Sequence, residues 1–105
     1  MPIVLTPENL VETLRMQPIP GDVLNALVAA FKWAEENQAK SVYAASAAGY
    51  LRELDRAGKF GEQSATSYVY SVKLNIFYAL GNLNGWRGDE ARAVKVILRK
   101  FTQGV

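Results

Sequence analysis

Several basic side chains lie near the C-terminus at a spacing that could form a binding surface. Arg92, Lys95 and Arg99 follow one another at steps of three and four, which places them on one face of a predicted α-helix, and Arg87 precedes that helix. A basic stripe along a helix is typical of a surface that binds phosphate groups. The stripe supports one hypothesis, a small DNA- or RNA-binding protein.

A second basic cluster, Arg52 and Arg56, would add to this nucleic-acid surface from an earlier helix. The same residue types also fit solvated helix ends, because the helix dipole favours cations near a C-terminus. Asp89 and Glu90, at the start of the last helix, would repel phosphate. The solvated face and the phosphate-binding surface both stay open as interpretations.

Enzymatic chemistry has few candidate residues in this chain. Cysteine and histidine are both absent, which excludes thiol nucleophiles, zinc–thiolate sites and histidine general bases. The acidic pairs at 35–36 and 89–90 are adjacent, so their carboxylates diverge by about 100° around a helix. We therefore predict a protein that is not an enzyme, with no catalytic residue, no cofactor and no metal. A small-ligand site would need a cavity lined by tyrosines such as Tyr43 and Tyr50.

Size and composition predict one small globular domain over residues 1–105. Half of the 105 residues are hydrophobic, and the net charge is +2, which fits a packed core rather than a disordered chain. No apolar run is long enough to span a bilayer, and the first residues lack the basic start of a signal peptide. We expect no membrane association and a cytoplasmic location.

All of the predicted secondary-structure elements that carry these residues are helices. Apolar residues recur at steps of three and four, and no alternating strand pattern occurs. The fold class is therefore all-α, a compact bundle of four main helices plus a short N-terminal helix. The predicted helices cover approximately residues 7–15, 22–38, 41–57, 64–83 and 89–101.

Short polar residues predict where these helices begin. Thr6, Asp22, Ser41 and Asp89 are of the types that cap helix N-termini. The sequence leaves open whether the second helix breaks before Ser41 or bends into the third. The first helix is expected to bury Leu10, Val11 and Leu14. The third helix is expected to have one face lined by Tyr43, Ala47, Tyr50, Leu51 and Leu54.

The helix predicted over Ser64–Leu83 has apolar side chains on two separate faces. A surface helix needs only one such stripe. The second stripe is therefore either core, covered by the chain's other helices, or an interface for a partner. The first stripe is Ala65, Tyr68, Val69, Val72, Ile76, Ala79, Leu80 and Leu83, and the second is Tyr70, Leu74 and Phe77.

The two-faced helix leads to the favoured functional hypothesis, a protein–protein interaction module that forms a homodimer or binds another protein. Tyr70, Leu74 and Phe77 would supply the apolar contact, and Leu74→Asp should then abolish association without unfolding the chain. Trp33 and Trp86 are possible anchors at the rim of that interface, since tryptophan is enriched at binding hot spots. Packing of either tryptophan against the core is the alternative.

One stretch resembles a known family. The chain has Tyr50-Leu51-Arg52-Glu53-Leu54, then Gly58, then Ser64-Ala65-Thr66-Ser67-Tyr68, and then an apolar segment from Val72 to Leu80. This run is similar to the N-terminal, helical DNA-clasping domain of tyrosine recombinases. The resemblance implies a helical hairpin and contact with nucleic acid, without the catalytic domain that carries out recombination.

Overall fold

The computed structural model describes residues 4–55 and 65–103, with side chains described over 4–55 and 71–103. The described part contains no strand, and the predicted all-α fold with four main helices and a short first helix is confirmed. The helices are α1 (Leu10–Thr13), α2 (Gly21–Asn37), α3 (Val42–Arg52), α4 (Ala65–Gly81) and α5 (Asp89–Phe101).

The four long helices pack as a ring. Helix α2 lies against α3 and α5, and α4 lies against the same two helices, so that α2 and α4 are diagonal to each other. The short α1 packs on α2. The Cα radius of gyration is 12.8 Å, close to the roughly 13 Å of a compact 100-residue domain. Each long helix therefore has two main neighbours and keeps one side that faces away from the ring.

One of the four predicted caps, Ser41, is confirmed. The Ser41 hydroxyl accepts a hydrogen bond from the Ala44 amide at 3.3 Å, and its extended backbone separates α2 from α3. The second and third helices are therefore separate, and the second does not bend into the third. Thr6 is not the N-cap of the first helix, because Asn9 occupies that position. Thr6 instead closes the preceding turn: its amide donates to the Asn9 side-chain oxygen at 2.7 Å, and its hydroxyl accepts from the Asn9 amide at 3.3 Å. That turn covers 7–9, and α1 begins at Leu10.

The predictions that Asp22 and Asp89 are N-caps are wrong. Helix α2 begins at Gly21, one residue before Asp22, and helix α5 begins at Asp89 itself, after Gly88. Asp22 accepts a hydrogen bond from the next amide, that of Val23, at 2.9 Å. Both carboxylates lie in the first turn of their helix, where they still complement the positive end of its dipole.

The core of α3 consists of small side chains rather than aromatic rings. Ala44, Ala47 and Ala48 are completely buried, whereas Tyr43 and Tyr50 are 57% and 36% exposed. The face that the sequence predicts for α3 is therefore buried at Ala47 and exposed at both tyrosines, and the short alanine side chains let the neighbouring helices approach closely. Leu51 and Leu54 of the same predicted face are fully buried.

In α1 the prediction fails at one position. Leu10 and Leu14 are fully buried, but Val11 is 42% exposed. A helix of only four residues presents a single narrow side to α2, and Val11 is a quarter-turn away from that side.

We expect Ala47→Leu to destabilise the bundle by about 1–3 kcal/mol, because a larger side chain must force α3 away from its neighbours. Ala45→Leu is the matched control, since Ala45 lies on the exposed side of the same helix. Urea denaturation followed by circular dichroism measures both variants. Equal stability of the two would contradict close packing of α3.

Candidate interaction surfaces

The inner face of α4 forms the centre of the core. Val72, Ile76, Ala79 and Leu83 are each at most 1% exposed, which confirms this part of the first predicted stripe. Leu80 is half-buried against the same core. The remaining members of the first stripe, and Tyr70 of the second, lie outside the residues whose side chains are described.

The outer face of α4 is only partly covered. Successive helical residues are about 100° apart, so Leu74 lies opposite the buried stripe, with Phe77 and Tyr78 on either side of it. Leu74 is half-buried, while Phe77 is 46% and Tyr78 is 45% exposed. The chain's own described helices thus leave two large aromatic rings of this face open to solvent.

A third ring from α3 extends this surface. The ring centroids of Tyr50 and Tyr78 are 5.3 Å apart, and those of Phe77 and Tyr78 are 6.0 Å apart. We call Tyr50, Phe77 and Tyr78 the aromatic patch. Sequence reasoning missed Tyr78, although it follows Leu74 by four residues and so continues the second stripe. The contact between the Tyr50 and Tyr78 rings depends on how α3 packs on α4. Residue spacing within one helix does not predict that packing.

A groove between α4 and α5 borders the aromatic patch. Its volume is about 580 Å³, and its lining includes Phe77, Tyr78 and Leu80 from α4 with Arg99 and Thr102 from α5. The groove therefore joins apolar rings on one side to a guanidinium on the other.

The two tryptophans pack against each other. Their rings are stacked, with centroids 5.9 Å apart and planes inclined by 21°. Trp86 is 8% exposed, and Trp33 is half-buried on α2, the helix diagonal to α4. The pair holds the loop after α4 against the core. The structure therefore does not bring Trp33 to the aromatic patch as the predicted rim anchor, and it buries most of Trp86.

The predicted basic residues fall into two separate groups. Arg52 is half-buried, and its guanidinium donates to the Glu35 carboxylate at 3.2 Å and to the Gln38 side-chain oxygen at 2.8 Å. Arg52 thereby links α3 to α2, and its charge is already compensated. Arg56 lies outside the described residues.

The second group lies on and next to α5. Arg87, Arg92 and Arg99 are exposed, and none of them forms a salt bridge within the described part of the chain. The Lys95 ammonium donates to the carbonyl oxygen of Trp86 at 2.7 Å. Burial lowers the pKa of Lys95, and the positive charges of Arg99 and Arg87 lower it further. Four cations thus share one surface without a carboxylate partner.

Comparison with models of protein families, with curated proteins and with solved structures finds no match. The resemblance to the DNA-clasping domain of tyrosine recombinases therefore stays a prediction from its motif. Within the described ranges, no helix is both long and apolar enough to cross a membrane. The same residues contain no group of three or more acidic side chains arranged to hold a metal ion.

The loop that carries Arg87 depends on Gly88, whose φ of +112° and ψ of 178° are open essentially to glycine alone. We expect Gly88→Ala to destabilise the protein by about 1–3 kcal/mol. Gly85→Ala is the matched control, because its new methyl group would lie in ordinary contact, 3.6 Å from the Trp33 ring. Thermal unfolding distinguishes them, and an equal loss in both variants would contradict the strain at Gly88.

Proposed function

We propose that this protein is a non-enzymatic protein–protein interaction module that self-associates through the outer face of the Ser64–Leu83 helix. The observation that carries the proposal is the aromatic patch, in which three adjacent rings are between 36% and 46% exposed. Contiguous exposed apolar surface of this kind marks interaction sites. Tyrosine and phenylalanine are also the residue types enriched in interface cores.

Burial supplies the driving force for association. Full burial of a large apolar side chain stabilises by about 1.5–3 kcal/mol relative to leaving it exposed. The patch carries no charged side chain, so two copies can meet there without like-charge repulsion at the centre. Leu74 lies between Phe77 and Tyr78 on the helix and would contact the partner once these rings pack.

The partner that this surface fits most simply is a second copy of the chain. A two-fold interface needs only one self-complementary patch, and such dimers are the commonest protein oligomers. A different protein with a matching apolar surface is the other partner within the same proposal. Nothing in this interface requires a membrane, and we place the protein in the cytoplasm as part of the proposal.

Phe77→Asp tests the interface. Phe77 is 46% exposed, so an aspartate there should leave the fold intact and place a charge in the contact. We expect sedimentation equilibrium to give twice the chain mass for the wild-type protein and a single chain mass for the variant. Leu74→Asp, also expected to abolish association, is the less selective test because Leu74 is half-buried.

Met16→Asp is the matched control. Met16 is 93% exposed and follows α1, which packs on the helix diagonal to α4. The control should keep the wild-type mass. Dissociation of both variants, or a wild-type monomer at millimolar concentration, would overturn the proposal.

A second candidate function is supported by four cations on and next to α5 that form no salt bridge with the described residues. Arg87, Arg92, Lys95 and Arg99 would contact the phosphate backbone of DNA or RNA, while Arg52, already paired with Glu35, and Arg56 were predicted to extend the surface. Binding of this kind weakens steeply with salt.

For this candidate, fluorescence anisotropy with a labelled oligonucleotide across a salt series gives the measurement. Arg92→Gln should lower the slope of log K against log salt by about one. An unchanged slope, or the absence of binding at low salt, would remove nucleic acid as a partner.

A further inference from the structure

A small cleft lies between the loop after α4 and the first turns of α5. Its volume is about 240 Å³, and its lining residues are Trp86, Arg87, Gly88, Ala91, Arg92 and Lys95. Three of these six carry a positive charge and none carries a negative one. The cleft is therefore a concave surface of one charge sign, unlike the cleft on the α2 side, whose lining includes Lys32, Glu36 and Glu90.

Lys95 is held in position within this cleft. Its ammonium donates to the Trp86 carbonyl at 2.7 Å, and Trp86 is itself held by stacking on Trp33. This hydrogen bond uses one of the three ammonium donors and leaves the others for a ligand. The Lys95 side chain is therefore positioned before any ligand arrives, which reduces the entropy lost when it binds one.

Lys95 forms no salt bridge with an acidic side chain among the described residues. Burial and the nearby guanidinium groups of Arg99 and Arg87 all disfavour its protonated form and lower its pKa. An anion bound in the cleft would offset part of this penalty, because it would stabilise the Lys95 ammonium together with the guanidinium groups of Arg87 and Arg92 that line the cleft.

The nearest acidic side chains along the chain do not neutralise the cleft. Glu90 lines a different cleft, on the α2 side, together with Trp33 and Lys32. Asp89 is exposed at the start of α5, and neither carboxylate forms a salt bridge with Arg87, Arg92 or Lys95. The three cations thus retain their charge for a ligand.

We propose that Arg87, Arg92 and Lys95 form a binding site for a phosphate group in the cleft beside Trp86. The planar guanidinium groups would each donate paired hydrogen bonds to phosphate oxygens, and the Lys95 ammonium would donate a further one. The phosphate group would belong either to a small free phosphate compound or to a nucleic-acid backbone. This inference does not rest on self-association, which uses the aromatic patch.

Pyrophosphate is the probe for the test. We expect isothermal titration calorimetry of the full chain at low ionic strength to show saturable binding of one pyrophosphate per chain. The indole N–H resonance of Trp86 should shift during the same titration. Arg92→Gln and Arg87→Gln should each weaken binding by about tenfold, since each removes a charge-assisted hydrogen bond. Both residues are exposed, so the fold should persist.

Arg15→Gln is the matched control, because it removes the same charge from an exposed residue after α1. It should leave the affinity within twofold of the wild-type value. A tenfold loss in this control would show a general charge effect and overturn the site. Absence of pyrophosphate binding at 5 mM, on the order of the weakest specific affinities, would overturn it as well.

A competing single-stranded oligonucleotide identifies the source of the phosphate group. Displacement of pyrophosphate by the oligonucleotide, with the same sensitivity to Arg92→Gln, supports the site and assigns the phosphate to a nucleic-acid backbone. Binding of pyrophosphate that the oligonucleotide does not displace supports the site and assigns it to a small free compound.

Discussion

The ring of four helices is the constraint on which the other features depend. A helix in such a ring can bury its inner face and part of two flanks, but not its outer face. Helix α3 makes the ring tight because Ala44, Ala47 and Ala48 are fully buried and bring its neighbours close. Helix α4 carries apolar residues on both faces, so this arrangement buries Val72 and Ile76 while Phe77 and Tyr78 stay partly exposed.

The same arrangement sets the two candidate surfaces next to each other, because Arg99 lines the groove that borders the aromatic patch. The aromatic patch belongs to α3 and α4, whereas the four cations belong to α5 and the loop before it. The stacked tryptophans hold that loop against α2, and the Trp86 carbonyl positions Lys95. Loop packing and the placement of the Lys95 charge are therefore coupled. An apolar contact should resist salt, and an ionic contact should not.

Local patterns were sufficient to predict the class of fold, the inner stripe of α4 and the cap at Ser41, because each depends on residues within one or two turns. The caps at Asp22 and Asp89 failed because a shift of one residue in a helix start moves a side chain from the cap into the first turn. The exposure of Tyr50, the stacking of Trp33 on Trp86 and the ion pair of Arg52 depend on which helices become neighbours. Sequence spacing does not report those contacts.

We propose that a second copy of the chain, rather than the chain itself, covers the outer face of α4. Light scattering across a concentration series, at low and at high salt, is the direct test of this self-association. We expect the mean mass in solution to rise with concentration from that of one chain to that of two, and the dimer to persist at high salt. A monomer at every concentration, or a dimer that dissociates when salt is added, would contradict it.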